Sequence, residues 1–385
     1  MKIAIATIFR GNHNYGGMLQ AYALQRKIKD LVPKSYEVKT LNYQSAHNPL
    51  YPSLLSRCRQ YSLTQIIEKF MMTRIERKTY LIADKLKVRH ELFNQFSSEY
   101  ISQSTLYNVD DIDKIAQDFD VLICGSDQIW NPNVINRVLL GDLGSNNQMH
   151  LISYAASIGR TILSDYEKGY YIPRLNKFEK ISVRENSAKK ILDELNIEQT
   201  VDVVLDPTML LEYGDWNRIT SERLIEVPYV LLYSFSDCRL KHQLVEYYKK
   251  MGLKVFYIPY AKQKYNTFDG KCKMIPLWDI GPREFLSLIK YANVVYTDSF
   301  HGTVFSILFN KEFYVYNRNK GNSRTSMNSR IYDLLKTLGL ETQLLTNKGF
   351  DFSNRQKIEY DTVNRVIKKY RNASLDWLKN ALIYD

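Results

Sequence analysis

From Ala292 to Thr303 the chain reads Ala-Asn-Val-Val-Tyr-Thr-Asp-Ser-Phe-His-Gly-Thr, and no other stretch restricts the fold as much. The apolar run Val294 to Tyr296 reads as a buried strand. It breaks at a polar, glycine-containing turn, and Thr303 to Phe309 then reads as the start of an apolar helix. Open α/β sheets bind ligands where a strand's carboxyl end meets a helix's amino end. The free N–H groups and dipole of the first helical turn favour an anion there. An imidazole at that point, His301, can reach both a bound anion and a reacting hydroxyl. The alternative is a buried histidine whose ring nitrogens are satisfied by backbone.

The same logic opens the chain. Lys2 to Phe9 reads as a parallel-type strand, Arg10 to Gly17 as a glycine-bearing loop and Met18 to Leu24 as a helix, with Gly16 and Gly17 letting a ligand approach the backbone. Phe119 to Cys124 is another buried strand. It runs into Gly-Ser-Asp-Gln-Ile-Trp-Asn-Pro, residues 125–132. Asp127 and Asn131 fit turn chemistry, whereas Trp130 beside Gln128, Asp127 and Asn131 also suits a sugar, by ring stacking and hydroxyl contacts. Further strands are read at Ile152–Gly159 and Lys180–Glu185, and Val203–Thr208 closes the first half with a proline stop at Pro207. Arg184, at a strand end, is either an ion-pair partner of Glu185 or an anion ligand.

A chain of 385 residues is about twice a typical domain, so two are expected. The expected class is α/β, with two Rossmann-like domains facing a cleft. The first covers residues 1–211 and includes a basic helical insertion at about 54–94; 212–228 forms a linker. The second, 229–345, carries the His301 turn. A helical tail, 346–385, packs back on the first domain. Cys58, Cys124, Cys238 and Cys272 lie far apart without a CxxC pair, so neither a disulfide framework nor a metal site is expected. With no secretory signal and no run of roughly 20 apolar residues, a cytoplasmic setting is expected.

The formal charge of +12 implies anionic partners. Residues 54–94 hold nine Lys/Arg against four Asp/Glu, and 309–336 hold six against two. The basic residues thus fall in two separate settings and no nucleic-acid-binding module is present, so no nucleic-acid partner is expected. Arg74, Arg77, Lys78, Lys85, Lys87 and Arg89 lie opposite an apolar helical face. They form either a solvated surface or a contact with an anionic membrane.

Six segments, taken together and in order, resemble the polysaccharide pyruvyl transferase family. They are residues 14–24, 125–132, 153–157, 182–185, 205–208 and 298–303. The resemblance implies a fold like the GT-B glycosyltransferases and transfer of pyruvate from phosphoenolpyruvate onto a sugar as a cyclic ketal, with no cofactor and no metal. It places the acceptor on the first domain, with Asn14, Gly16, Gly17, Gln20, Ser126, Asp127, Gln128, Trp130 and Asn131 as candidate contacts, and the reaction in cell-surface polysaccharide or glycoconjugate assembly, where acceptor sugars are often built on a lipid carrier at the inner membrane face. It places the donor at the second domain's turn. A donor bearing a carboxylate and a phosphate needs several cations and helix-end N–H groups. Arg184, Lys320 and Arg324 are candidates for the first, and Ser299, Gly302 and Thr303 for the turn. His301 is the candidate proton carrier, with Asp298 its candidate carboxylate. Many members carry Arg two residues before this histidine; here the position is Ser299, so that contact is either absent or moved to Arg324 or Lys320. Two other readings remain. One is a GT-B glycosyltransferase using a nucleotide-sugar, although no pair of glutamates seven residues apart follows a glycine-rich loop. The other is a non-enzymatic anion- or nucleic-acid-binding protein.

Overall fold

The computed structural model describes residues 1–11, 13–44, 48–50, 80–144, 149–235, 241–260, 274–317, 329–345 and 356–383, with 80–85 and 241 described by backbone alone. Two all-parallel sheets organise the described chain. The first comprises β1 (Lys2–Ala6), β2 (Glu37–Tyr43), β3 (Gln103–Tyr107), β4 (Val121–Asp127), β5 (His150–Ala156), β6 (Lys180–Val183) and β7 (Val201–Val203). Their order is β3-β2-β1-β4-β5-β6-β7. The second comprises β8 (Tyr229–Tyr233), β9 (Lys254–Ile258), β10 (Ile275–Pro276), β11 (Val294–Thr297), β12 (Glu312–Tyr316) and β13 (Leu344–Leu345), in the order β10-β9-β8-β11-β12-β13.

The strands read as apolar runs are the central ones. β1, β4, β5, β8 and β11 are buried almost end to end, because helices cover both faces of a parallel sheet. In each sheet the strand order reverses between two central neighbours, β1/β4 in the first and β8/β11 in the second. Loops leaving the carboxyl ends at such a reversal diverge and open a crevice. The loop after β4 begins at Gln128, and the turn after β11 leads directly to His301.

The halves are closed on each other through side chains from both. Tyr15 stacks on Phe285 at 4.6 Å and donates its hydroxyl to Ile280 O at 2.9 Å. Burial pushes that hydroxyl's pKa up to about 12, so it remains a donor. Arg89, on the helix Tyr80–Tyr100, reaches into the second half and donates to the carbonyls of Pro259, Leu277 and Trp278 at 2.7–2.9 Å. The helix Tyr360–Ala381 spans both halves. Near its start Asn364 bonds Asn310, and further on Ser374 Oγ accepts from Leu205 N at 3.0 Å. Trp377 Nε1 donates to Asp202 at 2.8 Å. The stretch 212–228 contains a short helix, Tyr213–Ile219.

This corrects the reading of the basic helical face. Arg89 is buried as an interdomain tie and cannot meet a membrane. Lys87 is exposed; Arg74, Arg77 and Lys78, and the side chain of Lys85, lie outside the described residues. No helix among the described residues is long and apolar enough to cross a membrane. Arg89→Met is expected to loosen the two halves, since each hydrogen bond from a charged donor contributes about 1.5–3 kcal/mol. Small-angle scattering should show a larger radius of gyration with far-UV circular dichroism unchanged. An unchanged radius would mean that Tyr15 and the C-terminal helix hold the closure without Arg89.

Candidate active site

Helix Phe300–Leu308 starts earlier than its apolar run suggests, because Ser299 caps it. Gly302 N–H donates to Ser299 Oγ at 3.3 Å, and Thr303 Oγ1 donates back to Ser299 O at 2.9 Å. A side chain at Gly302 would strike Thr297 Oγ1, its Cβ falling 2.4 Å away. The cap therefore fixes His301 in the first helical turn, and its ring projects across the crevice to the first domain.

There its Nε2 faces Asp206 Oδ2 at 3.5 Å, an ion-pair separation too long for a good hydrogen bond. Such contacts commonly tighten only in the reacting complex. Asp206 follows β7 and is wholly surrounded by donors. Its Oδ1 accepts from Thr208 N at 3.0 Å and Thr208 Oγ1 at 2.6 Å. Its Oδ2 accepts from Arg184 Nη1 at 2.7 Å and Ser126 Oγ at 3.3 Å. Burial alone would raise the Asp206 pKa. The charge of His301, then Arg184 and the Thr208 hydrogen bond, outweigh it and hold the carboxyl well below the usual carboxylate range.

Arg184, at the end of β6, is 1% exposed in its side chain. Besides Asp206 it lies 3.5 Å from Asp127 Oδ1 and from Glu185 Oε2, and its guanidinium sits 4.3 Å from the Phe300 ring centre. Burial would lower its pKa, but the three carboxylates raise it further, so it stays charged. Glu185 is held in turn by Ser157 Oγ at 2.6 Å. Three carboxyl groups thus surround one guanidinium. Of the two readings of Arg184, the ion pair is what the closed site contains, with Asp206 as the nearest partner.

The carboxylate facing His301 is Asp206, not Asp298. Asp298 points back to its own sheet, where Oδ1 accepts from Phe235 N at 2.8 Å, as strand alternation permits. In the sequence Asp206 reads only as part of the proline stop that closes the first half. An acid directly after the apolar run Val203-Val204-Leu205 was the available signal, the same one that singled out His301. Lys320 and Arg324 lie outside the described residues. Arg330, on the helix Ser329–Leu338, is a buried cation of the second domain beside this site. Its guanidinium is 5.8 Å from the Phe300 ring centre, and Nη1 and Nη2 donate to the Gln128 amide oxygen at 3.0 and 3.1 Å when that amide is turned toward it.

Several residues read as acceptor contacts are framework. Trp130 is fully buried, donates Nε1 to Leu139 O at 2.9 Å and meets Phe178 edge-on, so it offers no platform to a sugar. Asn131 forms a turn, accepting from Asn133 N at 3.0 Å. Asn14 caps the helix Tyr15–Leu31 by accepting from Gly16 N at 3.0 Å and Gly17 N at 3.4 Å. Gln20 ties the first loop to the fourth strand: Nε2 donates to Thr7 Oγ1 at 2.8 Å, and Oε1 accepts from Ser126 N at 3.1 Å. Only Ser126 and Asp127 of that set touch the Arg184–Asp206 cluster directly.

Gly16 and Gly17 lie in the first helical turn and not in a loop. Gly16 lacks a side chain because His301 occupies the space; a Cβ there would fall 2.0 Å from Nδ1 and 2.8 Å from His301 Cβ. The ring cannot swing clear when its own Cβ is in the way. Gly16→Ala is therefore expected to displace His301 and suppress turnover as severely as losing the imidazole. The helix itself should gain roughly 0.5–1 kcal/mol from alanine. Steady-state kinetics beside helical circular dichroism would check this; wild-type turnover would show that the two domains do not close this far during the reaction.

In comparisons with known proteins, the sequence model of the polysaccharide pyruvyl transferase family matches residues 14–320. No curated protein sequence matches the chain. Among solved structures, a UDP-GlcNAc 2-epimerase from Neisseria meningitidis bound to UDP-GlcNAc superposes with a TM-score of 0.51 at 8% identity, covering 100% of this chain and 95% of that one. S. aureus MnaA in complex with UDP gives 0.50 at 9% identity, covering 96% and 87%. At such identities the likeness speaks for the fold, two parallel-sheet α/β domains arranged as in GT-B proteins. With the matched segments joining His301, Asp206, Arg184, Ser126 and Gly16 in one site, the chain belongs to the polysaccharide pyruvyl transferase family.

Proposed function

We propose that the chain transfers pyruvate from phosphoenolpyruvate to two hydroxyls of a sugar acceptor as a cyclic ketal, with His301 carrying the proton. The observation behind this reading is the meeting of His301, from the second domain, with the ionised Asp206 of the first across the crevice. An ionised carboxylate facing Nε2 orients the imidazole and balances its charge when it holds a proton, as in other carboxylate–histidine pairs.

The steps balance without an oxidant or reductant. A proton added to the methylene carbon of phosphoenolpyruvate leaves an oxocarbenium-like centre at C2. One sugar hydroxyl attacks that carbon and gives up its proton, phosphate departs with its bonding electron pair, and the second hydroxyl closes the ring while releasing another proton. Of the two hydroxyl protons, one replaces that used at the methylene carbon and the other leaves with phosphate. His301 shuttles protons at these steps.

The donor's two anionic groups need cations at the crevice. Arg184 is surrounded by three carboxylates, so its role here is to keep Asp206 in place. Arg330, buried beside the same crevice, and Lys320 and Arg324, which follow β12 in sequence, are the proposed donor contacts.

Thermal stabilisation discriminates the donor classes. A ligand at a hundred times its dissociation constant stabilises the folded state by about 2.7 kcal/mol. Phosphoenolpyruvate should raise the melting temperature and UDP or GDP should not. Stabilisation by a nucleotide alone would favour the nucleotide-sugar glycosyltransferase.

A further inference from the structure

We infer that a pocket on the first domain, between the loop after β1 and the helix Tyr80–Tyr100, binds the acceptor's neighbouring sugar unit, the ring next to the one that receives the ketal. The inference rests on the reading of the chain as a sugar-modifying transferase. The pocket has a volume of about 210 Å³. That is below the usual range of about 300–1,000 Å³ for drug-sized ligands, and it suits a single ring better than a chain of sugars.

The pocket's chemistry selects hydroxyls. Asn42, Asn94, Ser97 and Gln103 line it, and among the described residues no carboxylate does. Amides and hydroxyls both donate and accept, as sugar hydroxyls do. Gln103 is already engaged, donating to Ser97 O at 3.1 Å and Ser97 Oγ at 2.9 Å. Asn42 is not so satisfied: its Oδ1 is buried and has no hydrogen-bond partner among the described residues. A buried acceptor left unmade is costly, which marks a place where a ligand O–H would be welcome. Phe9 and Phe93 supply the apolar wall that a sugar ring's C–H face requires.

Charge argues against an anionic occupant. Arg10 is the pocket's single described Lys or Arg, and it is exposed and donates to Gln44 Oε1 at 3.3 Å. His13, on the rim, stacks on His90 with ring centres 3.8 Å apart. Burial first, and then His90 and Arg89, lower the His13 pKa, so at neutral pH the ring is an uncharged donor and acceptor.

The pocket's place follows from the helix Tyr15–Leu31. Gly16 faces His301, whereas Met18 lines the pocket. At 100° per residue these two positions lie on opposite sides of a helix that is about 10 Å across with its side chains. A ring in the pocket is therefore not the reacting one but can be joined to it.

Saturation-transfer NMR with methyl glycosides of glucose, galactose, mannose and N-acetylglucosamine tests the site on the full chain, without phosphoenolpyruvate, so that sugar binding is judged apart from the donor. Expected is a signal for at least one glycoside that persists in His301→Gln. It should weaken about tenfold in affinity in Asn42→Leu, the worth of roughly one hydrogen bond. It should vanish in Asn94→Trp, which fills the pocket from an exposed position and spares the fold. Undiminished binding in Asn94→Trp, or no signal from any glycoside with the wild type, would overturn the inference. Neither result touches the donor reading, which the phosphoenolpyruvate melting shift decides separately.

Discussion

His301→Gln should lower pyruvyl transfer by about 10²–10⁴-fold, the usual loss when a general acid or base is removed. The melting temperature should change little, since the ring's polar contact is one long approach to Asp206 and its cap is made by Ser299. Glutamine keeps a polar side chain of similar reach but cannot carry a proton. Single-turnover phosphate release measured beside differential scanning calorimetry separates the two effects. Near-normal turnover would make His301 a packing residue between the domains.

Arg184→Met carries the largest expected effect on stability. It would strand Asp206, Asp127 and Glu185 around an uncharged side chain, and breaking a buried pair by removing one partner costs about 3–5 kcal/mol. Urea denaturation should show a lower midpoint with an unchanged slope. A loss below about 1 kcal/mol, typical of exposed pairs, would show that the guanidinium is a ligand contact in solution. The same cluster sets an acid dependence. Asp206 has a folded pKa depressed below its unfolded value of about 3.9. Its contribution is therefore fully present above about pH 4 and is lost as pH falls toward the folded value. Asp206→Asn should flatten that part of the stability profile.

The central strands and the His301 turn were legible because each is a continuous apolar run ending in polar turn residues, a pattern imposed by burial on both faces of a parallel sheet. The edge strands β3 and β7 are half exposed, as Thr105, Leu106, Asp202 and Val203 show, so they carry no such run. Two helices start earlier than their apolar runs, at Tyr15 and Phe300, because the apolar periodicity begins after the cap; Asn14 and Ser299 are the earlier signals. The site was half legible. His301 and Arg184 announce themselves at strand ends. That Trp130 is core is a fact of packing that its polar neighbours in sequence conceal. That Arg89 ties two domains and that Asp206 meets His301 are contacts between residues about 90 to 190 positions apart, which no local pattern encodes.

The most direct measurement is transfer itself. Phosphoenolpyruvate labelled with ¹³C at C2 is incubated with the protein and a panel of lipid-linked and nucleotide-linked sugars, and the products are read by NMR beside a phosphate assay. Expected is one phosphate released per ¹³C label arriving in a ketal carbon on the sugar, with both signals abolished in His301→Gln and in Gly16→Ala. Phosphate release with the label recovered as free pyruvate, or label transfer that survives in His301→Gln, would contradict a proton-carrying histidine at the closed interdomain site.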